Sequence, residues 1–227
     1  MPAKIVNLEE WNIARDALRA KEKKLSDDNQ QVVTERQSLP MTIVSEEYSF
    51  KTEQGTVTLQ DLFHGKSQLI VYHYMFAPTA NEGCPGCAFM VANFPDLRHL
   101  EDKDTALAVV SRAAIDKITT FKGKNFWNFP WVSSEGSTFN YDFGATIDAA
   151  TAKPADGKNP PSGDQPGFTV FKLQGGKVYR TYSAFEHMES LMGTWTFLDM
   201  TPGGRQEGRD GPAEFPLPSQ YHAAGRV

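Results

Sequence analysis

Cys84 and Cys87 are the only two cysteines of the chain, and they stand two residues apart in EGCPGCAF, residues 82–89. Two thiols at this spacing can form a reversible disulfide, supply two ligands to a soft metal, or pack as two small hydrophobes. The pair follows the apolar run QLIVYHYMF (68–76) and the loop APTANEG, and it opens CAFMVANF, a segment of helical character. A cysteine in the first turn of a helix faces unpaired backbone N–H groups and the positive dipole end, and both favour thiolate. The helix then brings the second sulfur back beside the first. Pro85 suits this turn, because the N–H it lacks would have no helical acceptor there. In this reading Cys84 is the exposed attacking thiol and Cys87 the partly buried resolving thiol of an oxidoreductase that needs no cofactor.

The metal reading uses the same two residues. One C-x-x-C supplies two thiolates, and no second pair completes a structural zinc site. His73, at the end of the preceding strand, and His99 are the imidazoles available to join Cys84 and Cys87. Two thiolates with one or two imidazoles suit copper or zinc, in a metal carrier or a metal-dependent oxidase. Against this, His73 reads equally as a core or loop histidine and His99 as a surface one.

The elements around the pair narrow the choice. QLIVYHYMF and ALAVVS (106–111) are nearly continuous apolar runs, as strands buried on both faces would be. AIDKITTFKG (114–123) is a plausible helix. FTVFKLQGGKVYRTYS (168–183) reads as a hairpin turning at Gly175-Gly176, and AFEHMESLMG (184–193) as a helix ending at Gly193. The order strand, C-x-x-C helix, strand, helix, hairpin, helix is the thioredoxin layout, βαβ then ββα. Upstream, TIVSEEYSFKTEQGTVTLQDLF (42–63) reads as short strands around Gly55 and a brief helical turn. Further upstream, Asn7 and Glu10 form a capping arrangement, and Trp11, Leu18 and Leu25 recur every seven residues on an otherwise charged helix. That arm is expected to lie across the domain or a neighbouring subunit, so a homo-oligomer is among the expected assemblies. The expected organisation is an N-terminal helical arm at 1–40, a thioredoxin-like α/β domain at 41–205 and a C-terminal extension at 206–227. Residues 149–167, rich in Pro, Gly, Ala and Asp, read as an exposed loop.

Composition limits the partners. The 227 residues carry a formal net charge of −5, which disfavours nucleic acid and anionic membranes. Apolar runs are strand-sized, too short to span a bilayer. The N-terminus has no apolar core like that of a signal peptide, so the cytoplasm is the expected compartment, where a disulfide is transient or catalytic. Other chemistry finds little support. No P-loop or G-x-G-x-x-G occurs, and Ser133-Ser134 lacks a nucleophile-elbow context. Asp199, Arg205 and Glu207 read as an ion-pair latch, and Phe126, Trp127, Phe129 and Trp131 as core.

The collinear segments WNIAR, RQSLPM, TLQDLF, QLIVYHYMF, CPGC, VVSRA, FPWVSS, FNYDF, VYRTYS and FLDMTPGGRQE resemble the thioredoxin-like domain-of-unknown-function family 899, from about residue 8 to about 209. The resemblance implies a thioredoxin-like fold with an N-terminal helical extension and no assigned substrate. Relative to thioredoxins themselves, Gly83 replaces the tryptophan before the first cysteine and CPGC inverts the Gly-Pro order. Pro166, before Gly167-Phe168-Thr169, is the candidate for the place of their cis-proline and reads equally as an ordinary loop proline, the sequence leaving its isomer open. These departures point away from general protein-disulfide reduction and toward a specialised thiol or disulfide partner, or a small oxidant such as a peroxide. A thioredoxin-like scaffold without turnover is the third alternative.

Overall fold

A computed structural model describes residues 4–150 and 162–225. The chain divides into two compact units, Met1–Pro40 and Met41–Val227. The first is a single helix, α1 (Leu8–Gln37), started by the Asn7 side chain, which accepts from the Glu10 N–H at 2.9 Å. Ion pairs one turn apart, Lys23–Asp27 and Lys24–Asp28, line its surface, and it buries no residue. The Trp11, Leu18 and Leu25 stripe is exposed.

The second unit is built on one eight-stranded sheet. Its elements in chain order are β1 (Thr42–Ile43), β2 (Ser49–Thr52), β3 (Gly55–Thr58), β4 (Gln68–His73), α2 (Pro85–Ala92), α3 (Leu97–Glu101), β5 (Thr105–Ser111), α4 (Ile115–Lys124), β6 (Trp131–Ser133), α5 (Phe139–Asp142), β7 (Thr146–Ile147), β8 (Gly163–Asp164), β9 (Gly167–Gln174), β10 (Lys177–Ala184), α6 (Gly193–Asp199) and α7 (Pro218–Ala223). The sheet order is β1-β10-β9-β4-β5-β6-β2-β3, while β7 and β8 form a separate pair. Strands β4 and β5 are parallel neighbours joined through α2 and α3, and β9 lies antiparallel on the other side of β4. Strands β9 and β10 form the expected hairpin, with Gly175 and Gly176 both at positive φ (60° and 72°) as a two-residue turn of this hand requires. The run β10-β9-β4-β5 is the thioredoxin sheet, so the protein has a thioredoxin-like α/β fold with an N-terminal helical extension.

Alternation along β4 sorts its side chains between two cores. Tyr72 joins Phe89 and Met90 of α2 on one face, whereas Leu69 and Val71 join Phe50, Phe63 and Phe171 on the other. His73 follows Leu69 and Val71. Its ring lies 5.6 Å from that of Phe139 and 5.8 Å from that of Phe185, against which it stacks. It is 1% exposed and shares a 2.9 Å hydrogen bond with Thr169 through Nε2, while Nδ1 has no hydrogen-bond partner among the described residues.

Several expectations need correction. Residues 184–193 form no α-helix, and only Glu189–Leu191 make a short 3-10 turn. Ala184 ends β10, His187 takes a positive φ of 56°, and the helix begins at Gly193 instead of ending there. Phe185, committed to the His73 stack, fixes the chain in a turn that helical propensity cannot override. At Pro166, whose isomer the sequence left open, the preceding peptide bond is trans. Gln165 before it is held by its N–H to the Ala145 carbonyl at 2.8 Å, directly after the β7–β8 pairing, so the chain enters β9 already extended and needs no reversal there. Residues 163–167, assigned to a loop by composition, carry β8 and the start of β9. Residues 151–161 of that loop lie outside the described residues.

Burial holds the His73 imidazole neutral, with its pKa lowered to about 3. The unfolded chain takes up a proton near pH 6.5 that the folded chain refuses, so this contribution is complete above that pH and falls as the pH drops toward 3. Between pH 6 and pH 4.5 the unfolding free energy should fall by about 2 kcal/mol, a slope approaching one proton. Urea titrations at both pH values check this. His73→Gln should flatten the dependence in that window, and an unchanged slope in the variant would assign it elsewhere.

Candidate active site around Cys84 and Cys87

The loop after β4 delivers Cys84 to the N-cap of α2 with extended dihedrals, φ −60° and ψ 128°, and places Pro85 in the first turn. Its backbone is fixed on both sides. The Cys84 N–H donates to the Met75 carbonyl at 3.0 Å, and the Cys84 carbonyl accepts from Tyr74 Oη at 2.8 Å and from the Ala88 N–H at 3.0 Å. Gly83 explains the missing tryptophan. A Cβ there would lie 2.7 Å from a Tyr74 ring carbon and 2.9 Å from a Phe121 ring carbon. The Tyr74 ring therefore occupies the space a larger residue would need, and its hydroxyl reaches past Gly83 to the cysteine carbonyl.

The two sulfurs occupy different environments. Cys84 is partly exposed and Cys87 is 1% exposed; both are free thiols. The Cys87 thiol donates a hydrogen bond to the Cys84 sulfur, and this contact does most to lower the Cys84 pKa, to about 6. Partial burial opposes the shift, and the Cys87 and Gly86 N–H groups assist it, acting without a conventional side-chain capping bond. Burial is also the main reason that the Cys87 pKa is raised well above the ordinary thiol value. The hydrogen bond to Cys84 adds to that rise, while donation from Tyr72 Oη and the Met75 N–H, the latter at 3.5 Å, opposes it. The arrangement is one activated thiolate and one protonated, sheltered thiol in hydrogen-bond contact.

A C-terminal segment flanks this turn. A Cβ placed at Gly86 would stand 3.8 Å from both Cys84 Sγ and Pro212 Cγ, so Pro212 borders the same patch of surface as the sulfur. Farther along α2, Phe89 stacks on Phe215 with ring centroids 4.1 Å apart and meets Trp195 at 5.6 Å. The Glu214 carboxylate accepts from the Gly208 and Asp210 N–H groups and folds the segment back. Arg205, in a two-bond pair with Asp199, lies over the Trp195 ring at 4.2 Å. Of the expected Asp199, Arg205 and Glu207 latch the structure thus pairs the first two, and Glu207 Oε1 has no hydrogen-bond partner among the described residues.

The other candidates lie elsewhere. His73 faces the opposite side of the sheet from Cys87, and His99 is exposed on α3. Among the described residues no group of three or more His, Cys, Asp or Glu is placed to hold a metal ion, so Cys84, Cys87, His73 and His99 are not brought together as a ligand set. Pro166 stands at the entry to β9 with its trans bond. Ser133 and Ser134 are buried and hydrogen bonded, to the Ala113 carbonyl and to Asn140 respectively. Trp127, Phe129 and Trp131 pack in the core with Tyr74 and Phe121, whereas Phe126 is exposed at a positive φ of 59° and stacks on His222. Sequence reasoning missed Tyr72, Tyr74 and Pro212. The two tyrosines were accessible through strand alternation, since residues 72 and 74 share the face that meets the helix after the cysteines. Pro212 had no local signal.

Among the described residues no helix is long and apolar enough to cross a membrane. The chain is similar to several solved structures at low identity. A mutant PrxQ from Xylella fastidiosa is 16% identical, covering 70% of this chain and 94% of that one at a TM-score of 0.45. Peroxidoxin BcpB from Mycobacterium tuberculosis is 18% identical over 69% and 95%, at 0.43. The bacterioferritin comigratory protein of Xanthomonas campestris is 21% identical over 69% and 95%, at 0.42. A search of curated proteins found no match. Residues 1–221 match the family described as "Bacterial protein of unknown function (DUF899)", and the chain belongs to that family.

Proposed function

We propose that the protein is a dithiol oxidoreductase in which Cys84 attacks an oxidised substrate and Cys87 resolves the intermediate. The observation that carries this reading is the placement of two free sulfurs, Cys84 partly exposed at the α2 N-cap and Cys87 buried in the first turn, which lowers the Cys84 pKa to about 6 and raises that of Cys87. At pH 7 a thiol of pKa about 6 is roughly 90% thiolate, the nucleophilic form. With a disulfide substrate R–S–S–R′, the Cys84 thiolate attacks one sulfur, and the S–S bond breaks to release R′S⁻. Cys87 then gives up its proton to the released thiolate and attacks Cys84 Sγ. This forms the Cys84–Cys87 disulfide and expels RS⁻. The substrate is reduced by two electrons and the protein oxidised by two. A peroxide would enter at the same sulfur: the Cys84 thiolate would take one oxygen and a proton to become the sulfenic acid, ROH would leave, and Cys87 would condense with loss of water. The neighbouring Pro212 and the partial exposure of Cys84 suit a partner that presents a narrow sulfur or oxygen to the Cys84 sulfur.

Cys84 should react with iodoacetamide well before Cys87, with a rate that is flat above about pH 7 and is lost as the pH falls through about 6. Equal, slow alkylation of the two cysteines across pH 5–9 would overturn the proposal. Cys87→Ala should move the Cys84 inflection upward, because its largest cause is removed, and mass-resolved alkylation reads the shift.

With an added disulfide, Cys84→Ser should abolish exchange, and Cys87→Ser should accumulate a stable mixed disulfide at Cys84 visible by intact mass. Stoichiometric turnover by Cys84→Ser would rule out Cys84 as the nucleophile.

A further inference from the structure

The reading above leaves one step unexplained. Once Cys84 is held in a mixed disulfide, its thiolate no longer accepts from Cys87, and Cys87 must become the attacking thiolate in an interior where it is 1% exposed. Burial penalises that charge, so an enclosed thiol with no compensating donors would resolve slowly.

We propose that the Tyr72 hydroxyl, with the Met75 N–H, forms a donor pair that stabilises the Cys87 thiolate during resolution. The inference rests on the dithiol reading and assigns it a further catalytic group. Its geometry follows from β4. Tyr72 lies on the α2 face of the strand, is 1% exposed, and packs in the same buried cluster as Cys87, where its hydroxyl is the side-chain donor that acts to lower the Cys87 pKa. Three residues on, the chain turns out of the strand and aims the Met75 N–H at the same sulfur, at 3.5 Å. Tyr74 cannot substitute, because its hydroxyl is committed to the Cys84 carbonyl at 2.8 Å. The titratable groups that act on Cys87 are Cys84, Tyr72 and Tyr74, and burial keeps both phenols protonated throughout the working range. Tyr72 is thus a donor that takes no proton. The proton of Cys87 passes through solvent, to the first released thiolate where that is an alkyl thiolate and to the solvent itself where it is nitrothiobenzoate. The Cys87–Cys84 bond forms, the Cys84–substrate bond breaks to release a thiolate, and Tyr72 keeps its own hydrogen throughout. The principle is that of a pre-placed donor waiting where charge develops.

The test uses the full chain, reduced, with 5,5′-dithiobis(2-nitrobenzoic acid) as the disulfide, followed by stopped-flow absorbance. The first equivalent of released nitrothiobenzoate reports Cys84 attack and the second reports Cys87 resolution. Tyr72→Phe should leave the first phase within about twofold, slow the second by about 10- to 100-fold, the range for a lost hydrogen bond to a charged group, and raise the pH midpoint of the second phase. Tyr74→Phe should lack that selective effect. If Tyr72→Phe does not fold by circular dichroism, fluorotyrosine at position 72, a stronger donor, should accelerate the second phase. A rapid first phase with an unchanged second phase in Tyr72→Phe or in the fluorinated protein overturns this role and leaves the dithiol reading standing. Equal slowing of both phases also overturns it, since that marks general distortion. A wild-type protein without a rapid first phase would instead overturn the dithiol reading itself.

Discussion

The hydrogen bond from the Cys87 thiol to the Cys84 sulfur makes the strictest demand on the surrounding structure, because it requires one sulfur at the protein's edge and the other inside it. The spacing answers the first half of that demand. Cys84 at the N-cap and Cys87 at the third helical position occupy the same offset as the two members of a capping box, so a single turn of helix brings the side chains together. Pro85 between them loses nothing, since its position has no N–H acceptor in the helix. The second half must come from packing. Residues 87–91 are all buried, so α2 is apolar around nearly its whole circumference and must be covered on every side.

The sheet covers it from beneath and the C-terminal segment from outside. Phe89 would face water if Trp195 and Phe215 did not close on it, and an aromatic ring of that size represents about 2–3 kcal/mol of burial. The segment after residue 206 therefore belongs to the surroundings of the candidate site, because it covers the helix that carries both cysteines. Its own folding uses short-range means: Glu214 satisfies two backbone N–H groups, and the Ser219 hydroxyl donates to Asn125 Oδ1 at 3.0 Å. Both devices let an irregular, Gly- and Pro-rich stretch hold a defined path without a strand or long helix.

How much of this could be read from residues depends on the range of the interaction involved. The helix start at CPGC and the turn at Gly175-Gly176 are local: proline and glycine dictate backbone angles wherever they stand, and both were legible. The two buried strands were legible from their unbroken apolar runs. The helix expected at 184–193 failed because AFEHMESLMG has suitable propensities, yet Phe185 is held by His73 more than a hundred residues away in sequence, on another strand. The path of the C-terminal extension at 206–227 was not legible, for the converse reason. Its composition is that of a loop, and only the exposed face of α2 makes Phe215 worth ordering. At Pro166 the isomer was not legible in the sequence, and the trans bond is set where the chain leaves the β7–β8 pairing.

The alternation of β4 decides both what the site is and what it is not. Residues 72 and 73 point to opposite faces of the sheet, so one strand gives the sulfurs a phenol and denies them an imidazole. The distinction is chemical as well as geometric. An imidazole beside Cys87 would compete for its proton or bind a metal through its free nitrogen. A carboxylate there would repel the thiolate that resolution requires. A phenol with a raised pKa does neither, because it remains neutral and presents only a donor. In an interior that penalises charge, a neutral donor stabilises a transient anion without adding a second charge to be buried. The sulfur in turn gives the buried hydroxyl a partner in the resting state, so Tyr72 adds no unsatisfied group to the core. His73, sent to the far face, meets the same burial with one nitrogen unpartnered, and its imidazole stays neutral among Phe139 and Phe185.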